Sequence, residues 1–407
     1  MAPTAVPNLS LRRSGLWALA QGLVCLPLLA LACEGDLSSD DDSSDVTPAD
    51  GGPMIGDSGT EPGVDGGPRP DGSTPDDPDL GPPDPDGVPI FVAQGHMGRT
   101  TVSCDDGRSW TNDTSMDDAV RCFTDGFDCD HHPGSAKGLA WSPRDGGHFY
   151  ATYGWGPPGS VRRSTDGVTW DPRLEETTFG GLAYGNDVLL AGSRNARRST
   201  DGGDTFEDGV DTGLMVWNVR RTGFAGGRFV LVGEDGGERD VVWSTDGATW
   251  DRPSTLPGEC GGGIQNTGGI VDLGGSIVIV GGDGVACVSS DDGDTFSSTT
   301  IRDGVTSHAV SHGGEVFVWS RGEVHRSSDG SDWSSSATAP SDLLLGAVAV
   351  SDDGTFVGVR GGWQNWYENQ EFYRSEDGVT WETLGDGSFT GSHPIRDIQF
   401  GRVPACP

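Results

Sequence analysis

The clearest signal along the chain is a short run of apolar, β-branched and aromatic residues that keeps returning. Seven such runs stand out: Ile90–Gln94, His148–Tyr153, Asp187–Ala191, Arg228–Val232, Ser276–Val280, Glu315–Ser320 and Thr355–Arg360. Each ends near Gly, and each reads as a β-strand, because branched and aromatic side chains suit a pleated, half-buried surface. A weaker run precedes six of the seven, as in Gly138-Leu139-Ala140-Trp141 and Gly181-Leu182-Ala183-Tyr184. No such run lies just before Ile90, but Ile395-Arg396-Asp397-Ile398-Gln399-Phe400 supplies one at the far end. The pattern predicts an all-β chain of repeated strand groups.

Behind each pair of runs comes one motif, and it occurs seven times. It reads Ser103-Cys104-Asp105-Asp106-Gly107-Arg108-Ser109-Trp110 at its first copy and Ser164-Thr165-Asp166-Gly167-Val168-Thr169-Trp170 at its second. The other copies are centred on Asp201, Asp246, Asp291, Asp329 and Asp377. These residue types suit a hairpin turn. Ser and Asp side chains accept hydrogen bonds from the turn's own N–H groups. Gly supplies the positive φ of a tight turn. The closing Trp or Phe buries its ring beneath the turn. Four copies are one residue shorter than the other three, so two turn types are expected.

This motif resembles the Asp-box, or BNR, repeat of sialidases, sortilin-type receptors and related propellers. The resemblance spans residues 88–407 and implies a seven-bladed β-propeller of four-stranded antiparallel blades. In that family the box lies between the third and fourth strands of a blade, away from the ligand face, so it speaks for fold and not for chemistry. Successive box Asp residues are 61, 35, 45, 45, 38 and 48 positions apart, and about 45 residues make one four-stranded blade. The C-terminal run would then complete blade one, closing the ring and removing open sheet edges.

Ring closure also bears on the cysteines. Six of them follow residue 100: Cys104, Cys122, Cys129, Cys260, Cys287 and Cys406. An even set in an exported chain implies disulfides. Cys104 lies in the first box and Cys406 follows the closing strand, which places both on the box face of blade one and predicts a Cys104–Cys406 bond. Cys122–Cys129 would staple the long insertion after the first box, which leaves Cys260–Cys287. No pair has the CxxC spacing of a zinc site.

The N-terminus points to export. Arg12 and Arg13 precede an almost wholly apolar stretch from Gly15 to Ala32, which ends in Leu29-Ala30-Leu31-Ala32-Cys33. A basic start, an apolar middle and small residues at the end mark a signal peptide. The cysteine after them resembles the lipobox of bacterial lipoproteins, which implies lipidation at Cys33, and Glu34 resembles an outer-membrane sorting residue. Residues 33–87 are dominated by Asp, Gly, Pro, Ser and Thr, and such a stretch cannot bury enough apolar surface to fold. The expected organisation is a signal peptide over 1–32, an acidic disordered tether over 33–87 and a propeller over 88–407.

Charge and composition narrow the function. A formal net charge of −36 argues against nucleic acid and anionic membrane surfaces. On the ligand face of a propeller, the loops between second and third strands hold the richest chemistry. Trp363, Trp366 and Tyr367 sit among Asn, Gln and Glu in one such loop, and Trp155 in another, a composition suited to sugar rings. Arg220, Arg221 and Arg396 fall on first strands near the channel, where they would meet an anion. A sialidase would need an arginine cluster, a Tyr/Glu pair and a Phe-Arg-Ile-Pro-type element, and that element is absent. Asp272, Asp397 and Glu368 are the carboxylates to inspect for another glycoside hydrolase. Asp128-Cys129-Asp130-His131-His132 has metal-binding residue types, but adjacent histidines in an extended loop point apart, and pairing of Cys129 removes the best ligand. No metal or cofactor is expected. The reading is a non-catalytic, monomeric envelope lipoprotein that binds a glycan or a protein. Its alternatives are a tethered glycoside hydrolase and an envelope assembly factor.

Overall fold

The structure is a computed structural model that describes residues 87–95, 98–114, 135–154, 159–176, 179–215, 219–235, 238–261, 268–360, 371–384 and 395–407. The signal segment, Cys33, residues 33–86, Cys122 and Cys129 lie outside them. The described residues form seven antiparallel sheets, six of four strands and one of three. The innermost strands lie side by side in blade order, and the ring closes between blades seven and one. The fold is a seven-bladed β-propeller.

Blade one joins the two ends of the chain. Its innermost strand is Ile395–Val403, which pairs antiparallel with Val88–Gly95, and Thr100–Ser103 and Thr111–Thr114 follow outward. A disulfide links Cys104 to Cys406 within this blade, across 302 residues of sequence, and another links Cys260 to Cys287.

Among the described residues the apolar core is divided into seven clusters, one between each pair of neighbouring blades. Ile90 and Val92 pack with Leu139 and Phe149 of blade two. Phe91 and Ala93, on the other face of the same strand, pack with Val357 and Val359 of blade seven. A second strand is therefore buried on both faces, which is why it reads as a continuous apolar run.

All seven boxes form the turn that follows a third strand, and all share one frame. The Ser hydroxyl donates to the Asp carboxylate, as from Ser164 to Asp166 Oδ1 at 2.9 Å, and accepts the Gly N–H, as from Gly167 at 2.8 Å. Beyond that frame the two lengths differ. In the four short boxes one Asp oxygen accepts two successive N–H groups, such as Val168 and Thr169 on Asp166. In the three long boxes one oxygen accepts an N–H, and the other accepts the hydroxyl of Ser109, Thr205 or Thr295. The long turn needs two consecutive positive φ angles, taken by Asp106-Gly107, Gly202-Gly203 and Asp292-Gly293, whereas the short turn needs only its glycine.

Each box also joins its blade to the one before it. Thr100 of blade one donates to the Gly167 carbonyl of the second box. Tyr150 and Arg163 donate to Gly202, Arg198 to Asp246 and Trp319 to Gly378. Arg374 of blade seven donates to the Asp106 carbonyl of the first box, so the same contact completes the circle. The box glycines press on the preceding blade, where a Cβ on Gly330 would lie 2.7 Å from Val288 and one on Gly167 2.6 Å from Val92.

Blade four departs from the expected four strands. Its outer pairing stops at a single bridge between Trp243 and Asp251. Pro253 stands where the next ladder N–H would be, and proline has none to give. The chain crosses instead to blade five, where Ser254 donates to Asp294 O and Phe296 donates to Thr255 O. The Cys260–Cys287 disulfide fixes it there.

Two measurements follow from the boxes. Gly330→Ala adds a clash to the strain of φ +76°, whereas Gly227→Ala at φ +70° meets nothing within 4 Å. Thermal unfolding should show a loss of about 1–2 kcal/mol for Gly227→Ala and clearly more for Gly330→Ala. Equal losses would show that the glycine contact between blades is unimportant. The second measurement is a melting curve against pH. Burial works against ionisation of Asp201, but hydrogen bonds from Thr205 and Ser199 outweigh it and hold its carboxyl at about 2. The other six box aspartates are lowered too. A lowered folded pKa gives stability that is present above the unfolded value near 4 and lost as pH falls through the folded one. Stability should therefore drop steeply from pH 4 toward pH 2, and a flat profile across that window would contradict the turn geometry.

Candidate functional site

The first strands line a central channel, and their spacing is set by glycine. A Cβ on Gly138 would sit 2.6 Å from the Leu182 backbone, and one on Gly223 2.6 Å from Ile270, so neighbouring inner strands approach closely at these points. The recess within has a volume of about 480 Å³. Inner strands all run in one direction, from the mouth opposite the boxes toward the box face.

At that mouth the starts of four different inner segments bring charged side chains together. Lys137 comes from blade two, Arg221 from blade four, His308 from blade six, and Arg396 with Asp397 from blade one. His308 precedes its strand, and backbone hydrogen bonds pinch blades five, six and seven together around it. Its N–H donates to Gly346 O at 2.8 Å, and the Gly268 N–H donates to Ser307 O at 2.9 Å. The pinch carries the His308 ring into the bore, where Nδ1 lies 3.7 Å from Asp397 Oδ1. Asp397 also accepts the N–H groups of Leu139, on blade two, and Ile398.

The Asp397 side chain is 23% exposed, but to a narrow bore rather than to bulk water. Loss of hydration pushes its carboxyl up to about 7, against the opposing pull of the Leu139 and Ile398 N–H groups and the Arg221 charge.

Asp272 is differently placed. It lies on the inner strand Gly268–Leu273 of blade five, beside the turn on the box face, and accepts the N–H groups of Gly226 and Gly275. Gly268 bridges to His308, which sets the level of Asp397. Four residues of strand therefore separate Asp272 from that level, about 13 Å at the usual rise. Paired glycosidase carboxylates stand roughly 5–9.5 Å apart.

Of the other residues singled out in the sequence, Trp155, Trp363, Trp366, Tyr367 and Glu368 lie outside the described residues, as does the segment from Asp128 to His132. Arg220 lies on the blade-four inner strand Val219–Ala225, but its side chain is not among those described; its neighbour Arg221 lines the recess. Arg396 is buried in the recess wall. Lys137 and His308 escaped the sequence reading. Lys137 stands one place before the Gly-Leu-Ala run of its strand, and that position was a usable signal. His308 had none, because it enters the bore through contacts with blades five and seven. Among the described residues no three His, Cys, Asp or Glu side chains gather to hold a metal.

Comparison with known proteins adds the fold and no more. No family model matches the chain, and no curated protein does. A solved protein from Lactobacillus plantarum matches with a TM-score of 0.54 and 12% identity over 78% of this chain and 100% of its own. A functionally unknown protein from Desulfotomaculum acetoxidans matches with a TM-score of 0.50 and 10% identity, covering 76% and 99%. YCF48 from Cyanidioschyzon merolae is 16% identical over 66% and 95%, with a TM-score of 0.46. At such identities the likeness is one of fold.

The Asp397 carboxyl should titrate with a midpoint of about 7. Carboxyl ¹³C chemical shifts followed from pH 4 to 9 report this directly, with Asp397→Asn to assign the signal. A midpoint near 4 would mean that the bore is as wet as bulk solvent.

Proposed function

We propose that the protein is an exported, lipid-anchored Asp-box propeller that binds a glycan or protein ligand of the cell envelope and does not transform it. The observation that carries this reading is the placement of the channel carboxylates. Asp397 lies at the mouth opposite the boxes, and Asp272 is about 13 Å away along the strands, holding a turn. That separation favours binding over the two-carboxylate hydrolysis of glycosides. A 480 Å³ recess ringed by polar side chains favours a ligand site over a purely structural scaffold.

Export, the lipid on Cys33, the extended tether of residues 33–87 and residence on the outer membrane of a diderm bacterium complete the proposal. They rest on the basic start, the apolar stretch and the Leu29–Cys33 sequence. The tether would hold a monomeric propeller clear of the membrane, where its acidic surface keeps it from anionic lipid.

The test is a panel of envelope polysaccharides, glycans and envelope extracts incubated with the purified protein, scored for retention and for products by mass spectrometry. Retention without new products is the expected outcome. Trp363→Ala or Trp366→Ala should weaken retention if the ligand is a glycan. New cleavage products would refute the non-catalytic reading.

A further inference from the structure

The geometry points to the mouth of the channel as a receptor for a compact oxyanion: a carboxylate, phosphate or sulfate group carried by the ligand. This rests on the binding reading above and names the chemistry that the ligand must present there.

Three observations carry it. The first is convergence. Lys137, Arg221, His308 and Arg396 come from four different blades and line one recess. Chain proximity explains none of these meetings; only the ring does. The second is contrast. The chain has 26 Lys and Arg against 62 Asp and Glu. Along most of its surface an anion is repelled, yet four basic side chains gather at this mouth around one carboxyl. Repulsion from the outer surface fades over about 8–10 Å at physiological salt. An anion that reaches the mouth therefore meets the local cations and not the global charge. The third is shape. The walls are glycine and aliphatic at Gly138, Leu139, Leu182, Gly269 and Val348. Confinement in a narrow bore strengthens each charge interaction inside it, and a few cations suffice to orient a small anionic group. The bore excludes a duplex or a folded acidic surface.

Asp397 sets the condition for binding. It feels the Arg221 charge, lies 3.7 Å from His308 and accepts the Leu139 N–H of the adjacent blade, and an incoming oxyanion competes with it for the same cations. Protonation of Asp397 removes the one negative charge there and makes the mouth more positive. No other described charged side chain lines this end of the recess, since Asp272 lies at the other. Binding should therefore tighten as pH falls from 8 to 6.

Isothermal titration of the purified protein tests this with sodium phosphate, sulfate, acetate and glucuronate, and with glucose as the uncharged control. Saturable uptake of at least one oxyanion is expected, severalfold tighter at pH 6 than at pH 8, with no uptake of glucose. Arg221→Ala and Lys137→Ala should each weaken it by about tenfold or more, as expected for losing one desolvated charge partner. Asp397→Asn should flatten the pH dependence. No saturable uptake at either pH overturns the inference, and so does uptake that both substitutions leave unchanged. If the envelope panel is retained while every oxyanion fails, this inference falls and the binding reading stands. If an oxyanion binds while the whole panel fails, the mouth is confirmed and the envelope ligand is not.

Discussion

The structure depends on one repeated contact, the box turn of each blade pressed against the blade before it. A Ser hydroxyl, an Asp carboxylate and a glycine N–H fold the turn, and the side chains of the preceding blade then close on its carbonyls and its bare glycine. Blade meets blade at the box turns, by hydrogen bonds from Thr100 on Gly167 round to Arg374 on Asp106 and by the packing of box glycines such as Gly330 on Val288. Seven apolar clusters fill the wedges between blades. Among the described residues each cluster is shared by two blades, so cohesion runs round the circle. That makes closure decisive. The C-terminal strand in blade one and the Cys104–Cys406 bond remove the loose edge that an open ring would present.

The frame tolerates local departures. Where Pro253 ends the ladder of blade four, the chain is re-anchored on the box of blade five and fixed by Cys260–Cys287. The two box lengths are a second case. Both keep the Ser–Asp–Gly frame, and the longer one meets its extra residue by recruiting a hydroxyl and a second positive φ. What stays constant is the satisfaction of buried turn donors, which are costly to leave without acceptors.

Such a frame separates the part that folds from the part that binds. The boxes face one way, and the mouth with its basic side chains faces the other. Asp397 shows how the ring creates chemistry, since an ordinary aspartate becomes a group that titrates near neutrality once it is walled into the bore by other blades.

Sequence alone determined the strands, the turns and the count of blades, because these are local. The second strands were legible since burial on both faces demands unbroken apolar runs; the expected Glu315–Ser320 is the observed strand, residue for residue. The boxes were legible since a tight turn demands Gly, Asp and Ser at fixed offsets. First strands such as Val310–His312 were fainter, and outer strands such as Ser334–Ala337, largely exposed and polar, left almost no hydropathy signal. Arg221 and Arg396 could be placed near the channel from their strands, but Lys137 passed unnoticed. Only the tertiary structure decided that His308 enters the bore, that it meets Asp397 from 89 residues away in sequence, and that Asp272 faces a turn at the other end. Those meetings are set by closing a ring of seven wedges, and no stretch of chain encodes such a distance locally.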